Sequence, residues 1–148
     1  MARILVHWKP PPEGLIKLNV EDSFLEDGFR LGASGVLRGH EGNWIAGFTH
    51  FGNGGDALLA KLRAIQLGIA TCYDLGYTHF ICESDCLEAI DLILNVTNAS
   101  LHVYAFVLLE ISDALHHGTI NLVHITREQN ICADFMAKKD AHSASSAY

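Results

Sequence analysis

Basic residues are scarce in this chain: 148 residues carry ten Lys and Arg against seventeen Asp and Glu, a formal net charge of −7. That balance excludes a broad, nonspecific grip on a phosphate backbone, so any nucleic-acid footprint must be local. Nine histidines could add positive charge near or below their ordinary pKa of about 6.5, which would strengthen such binding at mildly acidic pH. Long apolar runs are absent as well. No stretch of 18 or more apolar residues is free of charge, so the sequence predicts no membrane span. The opening residues, MARILVHWKPPPEG, hold a three-residue apolar run before His7, too short for the core of a secretory signal.

Cysteine is sparse too. Cys72, Cys82, Cys86 and Cys132 lack the density of a secreted disulfide framework, which predicts reduced thiols and a cytoplasmic or nuclear location. Cys82, Cys86 and Cys132 with His124 could be drawn as a zinc set, but no paired CxxC spacing supports it. Small buried apolar side chains are the better reading. What is abundant is apolar side chain, 49% of the chain, enough for one compact domain with an ordinary core.

The three prolines all fall within KPPPEG at 9–14, so residues 1–14 read as an extended lead-in, with Trp8 as a candidate anchor. From residue 15 the pattern alternates. Ile16, Leu18 and Val20 share one face and Lys17, Asn19 and Glu21 the other, as in a strand. GASGVLRG at 32–39 and NWIAGFTHF at 43–51 predict a hairpin continuing the sheet. Between Asp56 and Leu75 the spacing of Leu58, Leu62, Ile65, Ile69 and Cys72 is that of an amphipathic helix, stopped by Gly76. A strand over 78–83, a helix over 86–95, a helical stretch over 101–117 ending at Gly118, a strand over 119–125 and a helix over about 128–139 follow. The order calls for an α/β domain over 15–140 with a mixed sheet. The residues 141–148 lack apolar pattern and read as a loose tail. Pattern alone does not fix the strand order.

Four segments carry chemistry: KLNVEDS at 17–23, AKL at 60–62, CESDC at 82–86 and HITREQNICADFMA at 124–137. In order and spacing they resemble the ribonuclease H-like domain of plant proteins and plant non-LTR retroelements, whose motifs run roughly KLNVDGS, AEL, ESDS and HVxREGNxxADxLA. The resemblance implies a ribonuclease H-like α/β fold, a five-stranded mixed sheet with its three N-terminal strands antiparallel and helices on both faces. It also implies four carboxylates, one per motif, holding two magnesium ions. These positions fall on Glu21, Lys61, Asp85 and Asp134, so two match, one is conservative and one is inverted in charge.

Two-metal phosphodiester hydrolysis needs several carboxylates converging on two hard cations about 3.5–4 Å apart. Glu21, Asp85 and Asp134 are the candidate ligands for Mg²⁺ or Mn²⁺. Each also has a purely structural reading: a solvent-facing acid for Glu21, a helix cap with capping-box spacing to Glu88 for Asp85, and an i,i+4 pair with Lys138 for Asp134. Glutamate is one methylene longer than aspartate, which displaces an ion enough to matter for in-line attack. Asp22 points, by alternation, to the face of Ile16, Leu18 and Val20 and does not simply replace Glu21. His124, ten residues before Asp134, suits proton transfer or product departure, or equally a packed strand end.

Lys61 is the decisive departure. At these four positions it changes the formal charge from −4 to −2, which weakens binding of two divalent ions, and a protonated amine cannot bridge metals. It can instead pair with Glu21, Asp85 or Asp134. Lys17, Arg63 and Arg127 are the candidate phosphate contacts. Residues 101–118 hold no Lys or Arg, unlike the basic grip of some ribonucleases H, and their apolar character suits core packing or a protein partner. The sequence therefore predicts a ribonuclease H-like nucleic-acid-binding domain with impaired or lost two-metal nuclease activity, with Mg²⁺ or Mn²⁺ as its cofactor if it is active and none otherwise. The alternatives are a metal-dependent endoribonuclease on RNA–DNA hybrid or double-stranded RNA, and a protein-interaction module using 101–117.

Overall fold

The structure is a computed structural model that describes residues 8–24, 30–53, 56–95 and 102–131. Strands β1 (Ile16–Phe24), β2 (Arg30–Arg38) and β3 (Trp44–Asn53) are followed by helix α1 (Ala57–Asp74), β4 (His79–Ser84), helices α2 (Leu87–Asn95) and α3 (Ala105–His116), and β5 (Thr119–His124). The chain is helical again over 127–131. The sheet order is β3-β2-β1-β4-β5. β1 pairs antiparallel with β2, and β2 with β3; β4 runs parallel to both β1 and β5. This is the five-stranded mixed sheet that the resemblance implied, with the order that periodicity left open.

The alternation read in β1 decides how the layers stack. Leu18 and Val20 are buried in the main core with Leu62, Ile65 and Ile69 of α1, and the same core takes Val107, Leu108 and Ile111 of α3. On the other face Asn19 meets Asn130 of the last helical turn, donating to its Oδ1 at 3.2 Å. Helices therefore cover both faces.

Two glycines end helices for different reasons. Gly76 stops α1 with φ +90°: its N–H donates to Tyr73 O and that of Tyr77 to Cys72 O, both 2.9 Å, which satisfies the last carbonyls in a Schellman arrangement. Gly118 follows α3 without a positive φ. A Cβ there would overlap the Thr78 carbonyl oxygen and lie 2.9 Å from the Tyr73 hydroxyl, so close packing, not turn geometry, selects glycine. No helix among the described residues is long and apolar enough to cross a membrane.

Cys72, Cys82 and Cys86 are free and buried; burial pushes the Cys72 thiol up to about 12 and that of Cys82 further up. They are inert at neutral pH. Cys132 lies outside the described residues, as does the 132–139 part of the last predicted helix with Asp134.

Candidate nucleic-acid cleft

The parallel register sets Val20 beside Ser84 and Ser84 beside His124, so the carboxyl ends of β1, β4 and β5 emerge at one edge. In open α/β sheets that edge is where ligand clefts form. Here the cleft is about 530 Å³, lined by Glu21 and Asp22 from β1, Lys61 from α1, Asp85 from the β4–α2 bend and Arg127 from the last helical turn. Ile125 holds the β5 exit in place through its N–H to Ser84 O at 3.0 Å. Thr126 then starts the last helix with a reciprocal cap. Its Oγ1 accepts from Gln129 N at 3.2 Å, and Gln129 Oε1 accepts from Thr126 N at 3.1 Å, the two-way arrangement of a capping box. That cap fixes where Arg127 starts.

Within the cleft the Lys61 ammonium donates to Asp22 Oδ1 at 3.0 Å. Lys61 had been expected to pair with Glu21, Asp85 or Asp134. The difference follows from strand geometry. The β1–β2 register is continuous from Lys17 to Phe24, so Asp22 shares the face of Leu18 and Val20, and that is the face α1 covers. Pointing away from Glu21 is what brings Asp22 to Lys61. Burial pulls the Lys61 pKa down, but the hydrogen bond to Asp22 and the negative field of Asp22, Cys86 and Asp85 outweigh it, so the net shift is upward. The ammonium is charged at neutral pH.

Glu21 lies opposite Ser34, whose Oγ donates to its Oε1 at 3.4 Å. Asp85 is half-buried and does not cap α2. The Ala89 N–H reaches Cys86 Sγ at 3.4 Å, and the Cys86 N–H reaches Ser84 Oγ at 3.1 Å, so cysteine takes the cap position and leaves the Asp85 carboxylate for the cleft. His124 is exposed at the end of β5 and is not among the residues lining the cleft.

The three candidate phosphate contacts separate. Only Arg127 lines the cleft. Arg63 donates to Gln66 Oε1 on its own helix at 3.0 Å. Lys17 is drawn into a buried polar group on the other sheet face, paired with Glu83 at 3.1 Å and donating to Lys9 O at 2.8 Å. Trp8 Nε1 donates to the same Glu83 at 2.9 Å, while the Arg38 guanidinium sits 4.5 Å from the Trp8 ring. Trp8 thus anchors the lead-in, and a buried charge pair closed by hydrogen bonds does not open to a ligand without a large penalty.

Among the described residues, which exclude Asp134, the donor set does not suit a pair of divalent cations. Glu21, Asp22 and Asp85 are set against Lys61 and Arg127 in the cleft lining, a formal balance of −1. Among the described residues no three His, Cys, Asp or Glu side chains converge closely enough to hold a metal ion. Asp22 was the residue that sequence reasoning set aside. The signal that could have found it is the paired exchange of charge, aspartate in place of the glycine of KLNVDGS and lysine in place of the glutamate of AEL.

The reverse transcriptase-like family profile matches residues 22–140. No curated protein matches the sequence significantly. Among solved structures, RNase H1 from the halophilic archaeon Halobacterium salinarum NRC-1 is similar with a TM-score of 0.67 at 13% identity, covering 88% of this chain and 99% of that one. The N-terminal RNase H domain of a Mycobacterium tuberculosis protein aligns with a TM-score of 0.69 at 13% identity, covering 89% and 96%. LC11-RNase H1, solved in complex with an RNA/DNA hybrid, has a TM-score of 0.69 at 14% identity, covering 87% and 98%. At these identities the likeness establishes the fold.

Proposed function

Because the chain belongs to the reverse transcriptase-like family and has the ribonuclease H fold, we propose that it is a nucleic-acid-binding domain in which two-metal cleavage is impaired or lost. The observation that carries the reading is the Lys61–Asp22 ion pair at 3.0 Å inside the acidic cleft. An ammonium neutralises one carboxylate where a divalent ion would have to do so, and it stays protonated because Asp22 stabilises its charged form. Cleavage by this fold depends on cations holding the attacking and leaving oxygens. Replacing them with a monovalent charge already paired with Asp22 removes the means of activating water and leaves attraction for a phosphate to Arg127.

The ligand class proposed is RNA–DNA hybrid or double-stranded RNA, supported by the hybrid bound in LC11-RNase H1. Arg127, exposed at the cleft, is the first phosphate contact. With one such residue among those described and a chain of charge −7, affinity should be modest and its salt dependence shallow.

The test is to incubate labelled hybrid and double-stranded RNA with the full chain in magnesium and in manganese, following binding and cleavage together, with Asp85→Asn as control. Binding without cleavage is expected. Cleavage that Asp85→Asn abolishes would overturn the reading in favour of a metal-dependent endonuclease using Glu21, Asp85 and Asp134.

A further inference from the structure

Beside the cleft, where Leu58 follows Ala57 on α1 and Leu87 follows Asp85 into α2, the surface has a different character. Between Arg63 and Arg127 the chain holds no Lys or Arg but seven acids, and α2 and α3 both fall in that span. A groove of about 580 Å³ runs along α2, where Leu58, Leu87 and Leu92 supply apolar wall and Glu88 and Asp91 an acidic edge. Leu87 and Leu94, one heptad apart on α2, are 51% and 56% exposed. His102 closes the groove, and the next apolar residues, Val103 and Phe106, are 83% and 68% exposed. Large side chains left in water at this density on adjacent elements mark an interaction surface.

We propose that this groove docks an amphipathic helix of a partner protein, its apolar stripe seated on Leu58, Leu87 and Leu92 and its flanking Lys or Arg residues paired with Glu88 and Asp91. The charge decides between occupants. Nucleic acid is repelled by a surface without basic side chains. A symmetric contact with a second copy would set Glu88 and Asp91 against their own counterparts, which like-charge repulsion disfavours. A basic amphipathic helix satisfies both the leucines and the carboxylates, and helix-in-groove recognition uses this three-and-four spacing of anchors. The groove and the cleft share no lining residue, so peptide docking is measured without any nucleic acid present.

The probe is a labelled helical peptide with leucines at three-and-four spacing flanked by lysines, titrated into the full chain by fluorescence anisotropy. Two control peptides replace the lysines by glutamates or the leucines by serines. Each control should bind at least ~10-fold more weakly. The E88K/D91K variant, its fold checked by circular dichroism, should reverse the preference between the lysine and glutamate peptides, and Leu87→Ser should weaken both. Amide shift changes on binding should centre on α2. Equal affinity for all three peptides, no affinity for any, binding that E88K/D91K leaves unchanged, or a dimer that Leu87→Ser dissociates would each overturn the proposal.

Discussion

Lys61 and Asp22, 39 residues apart in sequence, meet at 3.0 Å in a cleft that also holds Glu21 and Asp85. The lysine side chain is 29% exposed and the aspartate 11%, so the pair is only partly screened by water. Its main effect is on what the cleft can bind, because a pair of this exposure contributes no more than about 1 kcal/mol to stability.

Asp22→Asn removes the partner and keeps the shape. The ammonium then faces the cleft unpaired, so affinity for hybrid should rise and the slope of log affinity against log salt should steepen by about 1. A filter-binding series in salt measures both. An unchanged slope would show that Lys61 does not reach a bound phosphate.

Lys61→Glu sets a carboxylate against Asp22. Like charges at that distance should lower the metal-free thermal midpoint, and the cleft, now more acidic, should recover stability with manganese. A ligand at 100 times its dissociation constant adds roughly 2.7 kcal/mol, a readable midpoint rise by scanning fluorimetry. The native chain should show no comparable rise.

The pH dependence has a definite sign. The Lys61 pKa is raised above its ordinary 10.5, so the pair's contribution to stability is fully present below that value and is lost as pH rises through the higher folded pKa. In parallel urea melts, the stability difference between the native chain and Lys61→Met should hold steady from neutral pH and shrink only above the ordinary lysine range. A difference that vanishes near pH 7 would contradict a charged, paired lysine.

Gly118→Ala tests the packing at the start of β5. The added methyl would press on the Thr78 carbonyl and the Tyr73 hydroxyl, and Tyr73 also hydrogen-bonds Ala114 O. Because backbone must shift, the loss should be about 1–3 kcal/mol, read from chemical denaturation. A neutral result would show that the packing against Thr78 and Tyr73 does not require glycine here.

Much of the fold was legible because its signals are local. The alternation of Ile16, Leu18 and Val20 and the period of Leu58, Leu62, Ile65 and Ile69 depend only on neighbours along one element, and each of these residues is buried except Leu58, which packs against the core. Gly76 ends α1 as turn chemistry requires, whereas Gly118 was the right residue for a reason that needed Thr78 and Tyr73 in place. The site was less legible because its contacts are long-range. Lys17 reads as a solvent-facing cation until Glu83 and Trp8 are folded against it. Asp85 reads as a cap until Cys86 takes that position. Asp22 reads as pointing away from the site, and it does point away from Glu21, but only the packing of α1 on that face turns this into a pairing with Lys61.

The most direct measurement is a calorimetric titration of manganese into the native chain and into the Asp22→Gly/Lys61→Glu double variant, which returns both positions to the KLNVDGS and AEL patterns. The native chain should show no saturable binding at millimolar metal, and the double variant should saturate. Saturable micromolar binding by the native chain, or a double variant as silent as the native one, would contradict the claim that the Lys61–Asp22 pair is what displaces the metal ions.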